Sequence, residues 1–415
     1  MSAPIVSFLD GAVAPLRFFA EPGKRIHVLY LAAALLISLS IYLFRHRDRD
    51  SSGGSFAGAL RFLFPRRLWR HRSSRLDLKL LVVNAWVRLL LLLPVSLPAM
   101  AVILSVHRGL RMAFGDPVVS AASPLVVALL YTAALFVVDD LSRYLLHRLL
   151  HRVPALWELH KVHHSAEVLT PLTLYRVHPL ESLLYGLRGA LAVGATTGVF
   201  VYLFGPAIDQ VTILGINGLG FVFSLLGSNL RHSHVWISYG RIAERIFISP
   251  AQHQVHHSAE AAHADRNFGT ALAVWDWLGG SLAIAGKHEE RPRHFGLAPS
   301  EQNHGAGLLS AYVGPMVAAF RRLLPWRRAA AAVAGGLILA WASIAVAQSA
   351  PASRPASRPA SAPASQPAAS KPAASKTSQA VAPVFFDPDS GSVAAEGSAA
   401  NNKNKTGAKG SAAKA

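Results

Sequence analysis

The sequence predicts an all-α multi-pass membrane protein: a transmembrane helical bundle, a cytoplasmic histidine-rich helical cap and a disordered C-terminal tail. Three observations carry this. Of 415 residues, 52% are hydrophobic and only 15% charged, against roughly a quarter charged in soluble domains. Six apolar stretches are long enough to cross a bilayer as helix. Eleven of the 19 histidines fall between His147 and His257 at helical spacings.

The apolar stretches are residues 28–44, 89–106, 118–138, 189–208, 211–228 and 329–348. The fifth is glycine-rich and follows Gly205-Pro206, so it pairs with the fourth as a membrane hairpin at about 189–228. Segment 45–79 between the first two stretches carries ten basic residues (Arg45, Arg47, Arg49, Arg61, Arg66, Arg67, Arg70, Arg72, Arg75 and Lys79), and only Arg108 and Arg111 separate the next two. The positive-inside bias therefore places 45–79 in the cytoplasm and the N-terminus outside. Alternation returns the chain to the cytoplasm near residue 139 and again after 228. Most of the net charge of +19 is thereby topological. No basic module interleaved with aromatics occurs, so nucleic acid is not an expected partner.

The absence of cysteine excludes a disulfide scaffold, thiolate metal sites and a cysteine nucleophile. Residues 321–347 join a basic patch to an apolar run ending Ala345-x-Ala347, the pattern of an internal signal sequence. The plainer reading, a final transmembrane helix at 329–348, is preferred. The Pro-Ala-Ser repeats and Gly/Ser/Ala/Lys-rich end at 349–415 cannot bury enough apolar area to fold. The resulting organisation is an N-terminal segment 1–25, transmembrane helices within 26–138, a site-bearing domain 139–328, the helix 329–348 and the tail.

The chemistry lies in the histidines. They form H-x-x-x-H at His147 and His151, H-x-x-H-H at His160, His163 and His164, a single His178, H-x-H at His232 and His234, and H-x-x-H-H at His253, His256 and His257. At this composition H-x-x-x-H arises by chance about 0.9 times and H-x-x-H-H about 0.04 times, yet the latter occurs twice. Positions i, i+3 and i+4 share a helix face, so each box aims its imidazoles at a common point. Asp140 and Tyr144 continue the stripe of His147 and His151, and Asp140 is placed to accept an imidazole N–H and fix its tautomer. About ten nitrogen donors exceed the capacity of one metal, so two are expected. Imidazole-only ligation admits Fe, Zn, Cu or Ni and disfavours Mg or Ca. Isolated histidines such as His27, His46, His71 and His107 are expected to be solvated or interfacial.

The strings DLSRYLLHRLLH (140–151), LWELHKVHHS (156–165), RVHPLE (176–181), LRHSH (230–234), HQVHHS (253–258), NFG (267–269) and WD (275–276) together resemble the membrane-bound fatty acid hydroxylase and sterol desaturase superfamily. The resemblance implies a cytoplasmic cap with two irons that activate O2 and abstract hydrogen from an unactivated C–H bond. It implies metal ligation by His147, His151, His160, His163, His164, His178, His232, His253, His256 and His257. Asp140, Tyr144, Asn267 and Asp276 match supporting positions. His234 stands where the family often has Asn, so it is an additional ligand or only a polar neighbour. After Trp275-Asp276 the chain also departs from the family's usual Arg-Leu-Phe-Gly-Thr.

The chain has no G-x-G-x-x-G dinucleotide fingerprint and no thiolate cluster, so electrons are expected from a separate reductase, ferredoxin or cytochrome. The leading expectation is an integral protein of a bacterial inner membrane that hydroxylates or desaturates a fatty acyl, sterol or related membrane lipid. A zinc-dependent membrane hydrolase lacks an H-E-x-x-H base: Glu158 and Glu167 only flank the second box. A metal transporter or sensor would carry ionisable residues within its spans.

Overall fold

The computed structural model describes residues 16–45, 55–92, 95–117, 122–206, 208–286, 291–298, 301, 307–324, 384–387 and 392–395. The chain divides into residues 1–320 with 383–415, and residues 321–382. The first unit is mostly helical and holds all of the boxed histidines.

Three described helices are long and apolar enough to cross a membrane: α1 (Val28–Arg45), then, past α2 (Phe56–Leu63), α3 (Arg72–Val87) and α4 (Ala99–Phe114), α5 (Pro124–Arg152), and, after α6 (Pro154–His164), α7 (Pro179–Phe204). The stretch 89–106, expected as one span, is broken. α3 ends at Val87, a π turn covers Arg88–Leu92, and Pro98, which has no N–H to donate, precedes the new helix α4. The stretch 211–228 is a two-strand hairpin, β1 (Thr212–Ile213) with β2 (Ile216–Asn217), followed by α8 (Gly218–Leu225). Asn217 caps α8 by accepting from Leu219 and Gly220 N–H. The stretch 329–348 lies outside the described residues, as does 349–383 of the tail. Near the C-terminus, β3 (Val384–Asp387) pairs antiparallel with β4 (Ser392–Ala395).

The 29 residues of α5 extend about 44 Å at 1.5 Å per residue, well beyond the roughly 30 Å of a hydrocarbon core. The surplus, from Asp139 onward, carries the first histidine box. Ser123 caps the helix start, and Pro154 ends it: the residue before a proline is driven out of the α region, and Val153 is extended at φ −94, ψ 114. The chain turns there, so α6 brings the second box back against the first. α4 packs on α7 where Gly194 and Gly198 leave no room for a side chain against Val102 and Val106, the small-residue interface of membrane helices.

Arg176 is the staple of the cap. Fully buried, it donates to Asp77 Oδ1 (2.9 Å), Val162 O (2.9 Å) and Ser165 Oγ (2.8 Å), while Asp77 Oδ2 accepts from Thr173 Oγ1 (2.7 Å). This ties α3 to the end of α6. Leu76, Leu80, Val162 and Ala311 fill the space beside it. By its charge, segment 45–79 is expected to set topology and touch anionic headgroups, or to dock an acidic electron carrier; its described part also carries the buried Asp77 that ties α3 to the second box.

Asn229 donates to Arg25 O just before α1, and Tyr42 near its end packs on Phe62, whose carbonyl accepts from His234. Both flanks of α1 thus meet the segment around His232. Arg25, on the N-terminal side of α1, lines one cavity with His147, His160 and His163, so it is not set apart from the histidines as the expected topology had it.

Asp77→Ala strands a buried guanidinium and is expected to cost about 3–5 kcal/mol, read by unfolding in one detergent alongside the unmutated protein. A loss below about 1 kcal/mol would show that the ion pair does not hold the cap together.

Candidate metal centre

Nine imidazoles converge in two groups. His147, His151, His160, His164 and His256 form the first; His163, His232, His253 and His257 form the second. Within each group the donor atoms lie within 4.8 Å of one another. Adjacent histidines in a box separate because consecutive side chains on a helix diverge by about 100°. On α6, His160 and His164 (i, i+4) serve the first group and His163 the second. On α9 (Pro250–His256), His253 and the C-cap His257 serve the second and His256 the first. Each H-x-x-H-H box therefore contributes to both groups. A capping box between Ser249 and Gln252 starts α9. The groups also touch: the His164 and His257 rings stack at 4.6 Å.

Hydrogen bonds set which nitrogen is free. His147 Nδ1 donates to Phe268 O (2.8 Å), His160 Nδ1 to Glu181 Oε1 (2.8 Å) and His256 Nδ1 to Arg266 O (2.7 Å). His151 Nδ1 lies 3.5 Å from Asp265 Oδ1. Protonation at Nδ1 leaves Nε2 as a lone-pair donor. The Nε2 atoms of His151, His160, His164 and His256 are buried with no hydrogen-bond partner among the described residues. In the second group His232 Nε2 lies 3.0 Å from His253 Nε2 and 3.1 Å from His257 Nε2. Both spacings are short enough for these nitrogens to share one ion.

Desolvation keeps the donors neutral. It holds His163, His164, His232, His253 and His257 well below the ordinary value of 6.5 and pushes His256 down to about 3. Neutral imidazole is the metal-binding form.

His178 is not brought to either group. Its Nδ1 caps α7 by accepting from Leu180 N–H (3.1 Å), and its Nε2 donates to Tyr312 O (3.0 Å). His234 also stays outside, with Nε2 on Phe62 O (2.6 Å): alternate residues in this non-helical stretch point opposite ways. Nor does Asp140 meet a histidine nitrogen. Its carboxylate accepts from Ala271 N (2.7 Å), Leu272 N (2.9 Å) and Trp275 Nε1 (2.9 Å).

Asp140, Tyr144, Asn267 and Asp276 instead all act on the segment 265–283. Asp276, at the start of α10 (Val274–Gly279), accepts from Phe268 N (2.8 Å), Gly269 N (2.7 Å) and Ser281 Oγ (2.6 Å). Asn267 adopts φ 56, a region Asn tolerates, and its amide bridges Gln252 O and Ala283 N. A Cβ on Gly269 would fall 2.8 Å from Asp276 Oδ2 and 2.6 Å from Leu272 O, so only glycine permits this approach. Tyr144 accepts from Arg148, which also donates to Gly279 O (2.8 Å). The segment so held presents the Phe268 and Arg266 carbonyls to His147 and His256. Sequence reasoning missed Glu181 and Asp265 as partners; Glu181 in RVHPLE, a carboxylate three residues after a histidine at a helix start, was the available signal.

A cavity of about 110 Å³ opens beside both groups, lined by His147, His160, His163, His232 and His253 with Leu174, Val177, Tyr185 and three arginines.

Residues 132–281 match the family model for fatty acid hydroxylase. The same region is similar to an ornithine lipid hydroxylase, OlsE, of Rhizobium tropici, 30% identical over 146 residues, 35% of this chain and 40% of the relative. It is also similar to an alkylglycerol monooxygenase of Danio rerio, 26% identical, covering 35% and 28% of the two chains. A Delta(7)-sterol 5(6)-desaturase of Eremothecium gossypii is 32% identical, covering 34% of each. The chain thus spans less than half the length of these relatives. No solved structure matches it.

Asp276→Ala frees the Phe268 and Gly269 amides and is expected to lower metal affinity about 10- to 100-fold, with Asp140→Asn acting in the same direction. Competition against a chelator measures it; unchanged affinity in both variants would disconnect this segment from the metal groups. The acid response follows from the depressed imidazoles. Below about pH 6.5 the unfolded chain binds more protons than the fold, so stability is lost as pH falls and is flat above. Melting of chelator-treated protein from pH 8 to pH 5 should show a plateau and then a decline. A rise on acidification would contradict neutral, buried histidines.

Proposed function

We propose that this chain is a di-iron membrane oxidoreductase that uses O2 to hydroxylate or desaturate a C–H bond of a membrane lipid. One observation carries the reading: nine imidazoles, almost all buried, in groups of five and four with no carboxylate or thiolate in either group, beside a partly apolar cavity. The all-imidazole donor set admits iron, and the match to the fatty acid hydroxylase family model supports it over zinc. Neither acid flanking box two is free as a hydrolytic base: Glu158 pairs with Lys161 (2.9 Å) and Glu167 with Arg72. Asp140, Tyr144, Asn267 and Asp276 are positioning residues, and His178 and His234 are left as structural histidines.

His147, His151, His160, His164 and His256 would hold one iron, and His163, His232, His253 and His257 the other. Bound iron supplies O2 reduction and removal of hydrogen from an unactivated carbon. The protein's share is to fix each donor nitrogen through Glu181 and the Phe268 and Arg266 carbonyls, and to keep bulk water from a site whose ligands are almost all buried. Leu174, Val177 and Tyr185 line the approach for the lipid.

Hydroxylation inserts one oxygen atom into C–H, and two electrons and two protons reduce the other to water. Desaturation removes two hydrogens from adjacent carbons, and with two electrons and two protons both oxygen atoms become water. The electrons come from a separate carrier. The basic residues of 66–79 lie on ordered helices tied through Asp77 and Arg176 to box two, so the positive-inside bias supports a site facing the cytoplasm, and a bacterial inner membrane suits it.

Lipid mass spectrometry of cells with and without the gene should show a species changed by one oxygen or two hydrogens. Replacing His256 and His257 by Ala should abolish that change while the protein stays in the membrane. Retained product in this variant would remove the proposed centre.

A further inference from the structure

Two neighbouring cavities meet at a set of arginines that the metal groups do not use. The inner cavity is the one beside the histidines; the outer runs between α5, α7 and α8 past Leu135, Phe136, Val193 and Phe223. Arg25 and Arg143 line both, and Arg231 lines the inner one.

Arg143 and Arg231 are only 7% and 3% exposed, and each keeps an Nη2 with no hydrogen-bond partner among the described residues. Part of each guanidinium is engaged. Arg143 Nε donates to Asp139 Oδ2 (2.8 Å), and Arg231 donates to the Ser228 and Thr270 carbonyls. Among the described residues the Arg25 side chain makes no ion pair and no hydrogen bond, although it faces the same space.

The carboxylates that face these cavities are already taken. Asp139 is shared between Arg143 and Arg188 (2.8 Å each). Asp140 is spent on two backbone N–H groups and Trp275. Glu181 gives Oε1 to His160 and keeps only Oε2. A buried guanidinium end without an acceptor is costly, and its fork matches two oxygens of one oxyanion.

We propose that Arg25, Arg143 and Arg231 form an oxyanion subsite for the phosphate or carboxylate of an anionic lipid headgroup, so that the carbon presented to the histidines lies within a few bonds of that anion. The outer cavity, apolar along Leu135, Phe136, Val193 and Phe223, then takes the adjoining chain. This deepens the lipid-oxidation reading and rests on it for the position of the carbon.

The test uses the full chain in neutral detergent and three amphiphiles of equal chain length: dodecyl phosphate, laurate and 1-dodecylglycerol. Binding is read by tryptophan fluorescence, without turnover. The unmutated protein should bind at least one of the two anions about tenfold more tightly than the neutral glycerol; the stronger of the two identifies phosphate or carboxylate. Arg25→Gln should reduce that preference to about twofold, and Arg25→Lys should restore part of it. Metal content, measured in parallel, reports an intact fold. Equal binding of all three amphiphiles by the unmutated protein, or full anion preference in an Arg25→Gln, Arg231→Gln double variant, would overturn the subsite. Anion preference without any lipid product would instead leave the subsite standing and remove the oxidation reading.

Discussion

Nine imidazoles arrive from four separate stretches of chain, and each must be buried, neutral and free at one nitrogen. Burial opposes protonation, which keeps the ring in its ligand form but leaves its other N–H in need of an acceptor. Much of the remaining architecture answers that need. Glu181 at the first turn of α7 accepts from His160, and the carbonyls of Phe268 and Arg266 accept from His147 and His256. Two of these three acceptors belong to one segment whose stretch before α10 has no helix or strand of its own to hold it.

That segment explains the acids around it. Asp276 binds it from within, Asp140 binds it from α5, and Asn267 pins it to α9 through Gln252 O. A carboxylate that fixes a loop carbonyl orients an imidazole as surely as one that touches the ring, but at one remove. Their substitution should therefore appear in metal affinity before it appears in overall stability.

The arginines follow a different logic. Arg176 is fully matched by Asp77, carbonyls and hydroxyls, as a buried cation in a structural role must be. Arg143 and Arg231 are nearly as buried and are not fully matched. The contrast within one protein separates a staple from a receptor for something anionic, and it places that receptor where the lipid-facing cavity meets the histidines.

Helical periodicity made the boxes readable: i, i+3, i+4 repetition of a rare residue type has few causes, and neutral imidazole on a shared face has one common use. It also made α1, α5 and α7 readable, since a long charge-free run must be satisfied by its own backbone hydrogen bonds. Periodicity says nothing about which group each imidazole joins, because that depends on the turn at Val153-Pro154 and on the placement of α9 against α6. Nor does it reveal that Asp140 serves a loop 131 residues away, that His178 is spent on capping α7, or that both flanks of α1 return to the same segment. Those outcomes are set by long-range hydrogen bonds and packing, whose partners are distant in the chain and leave no local pattern.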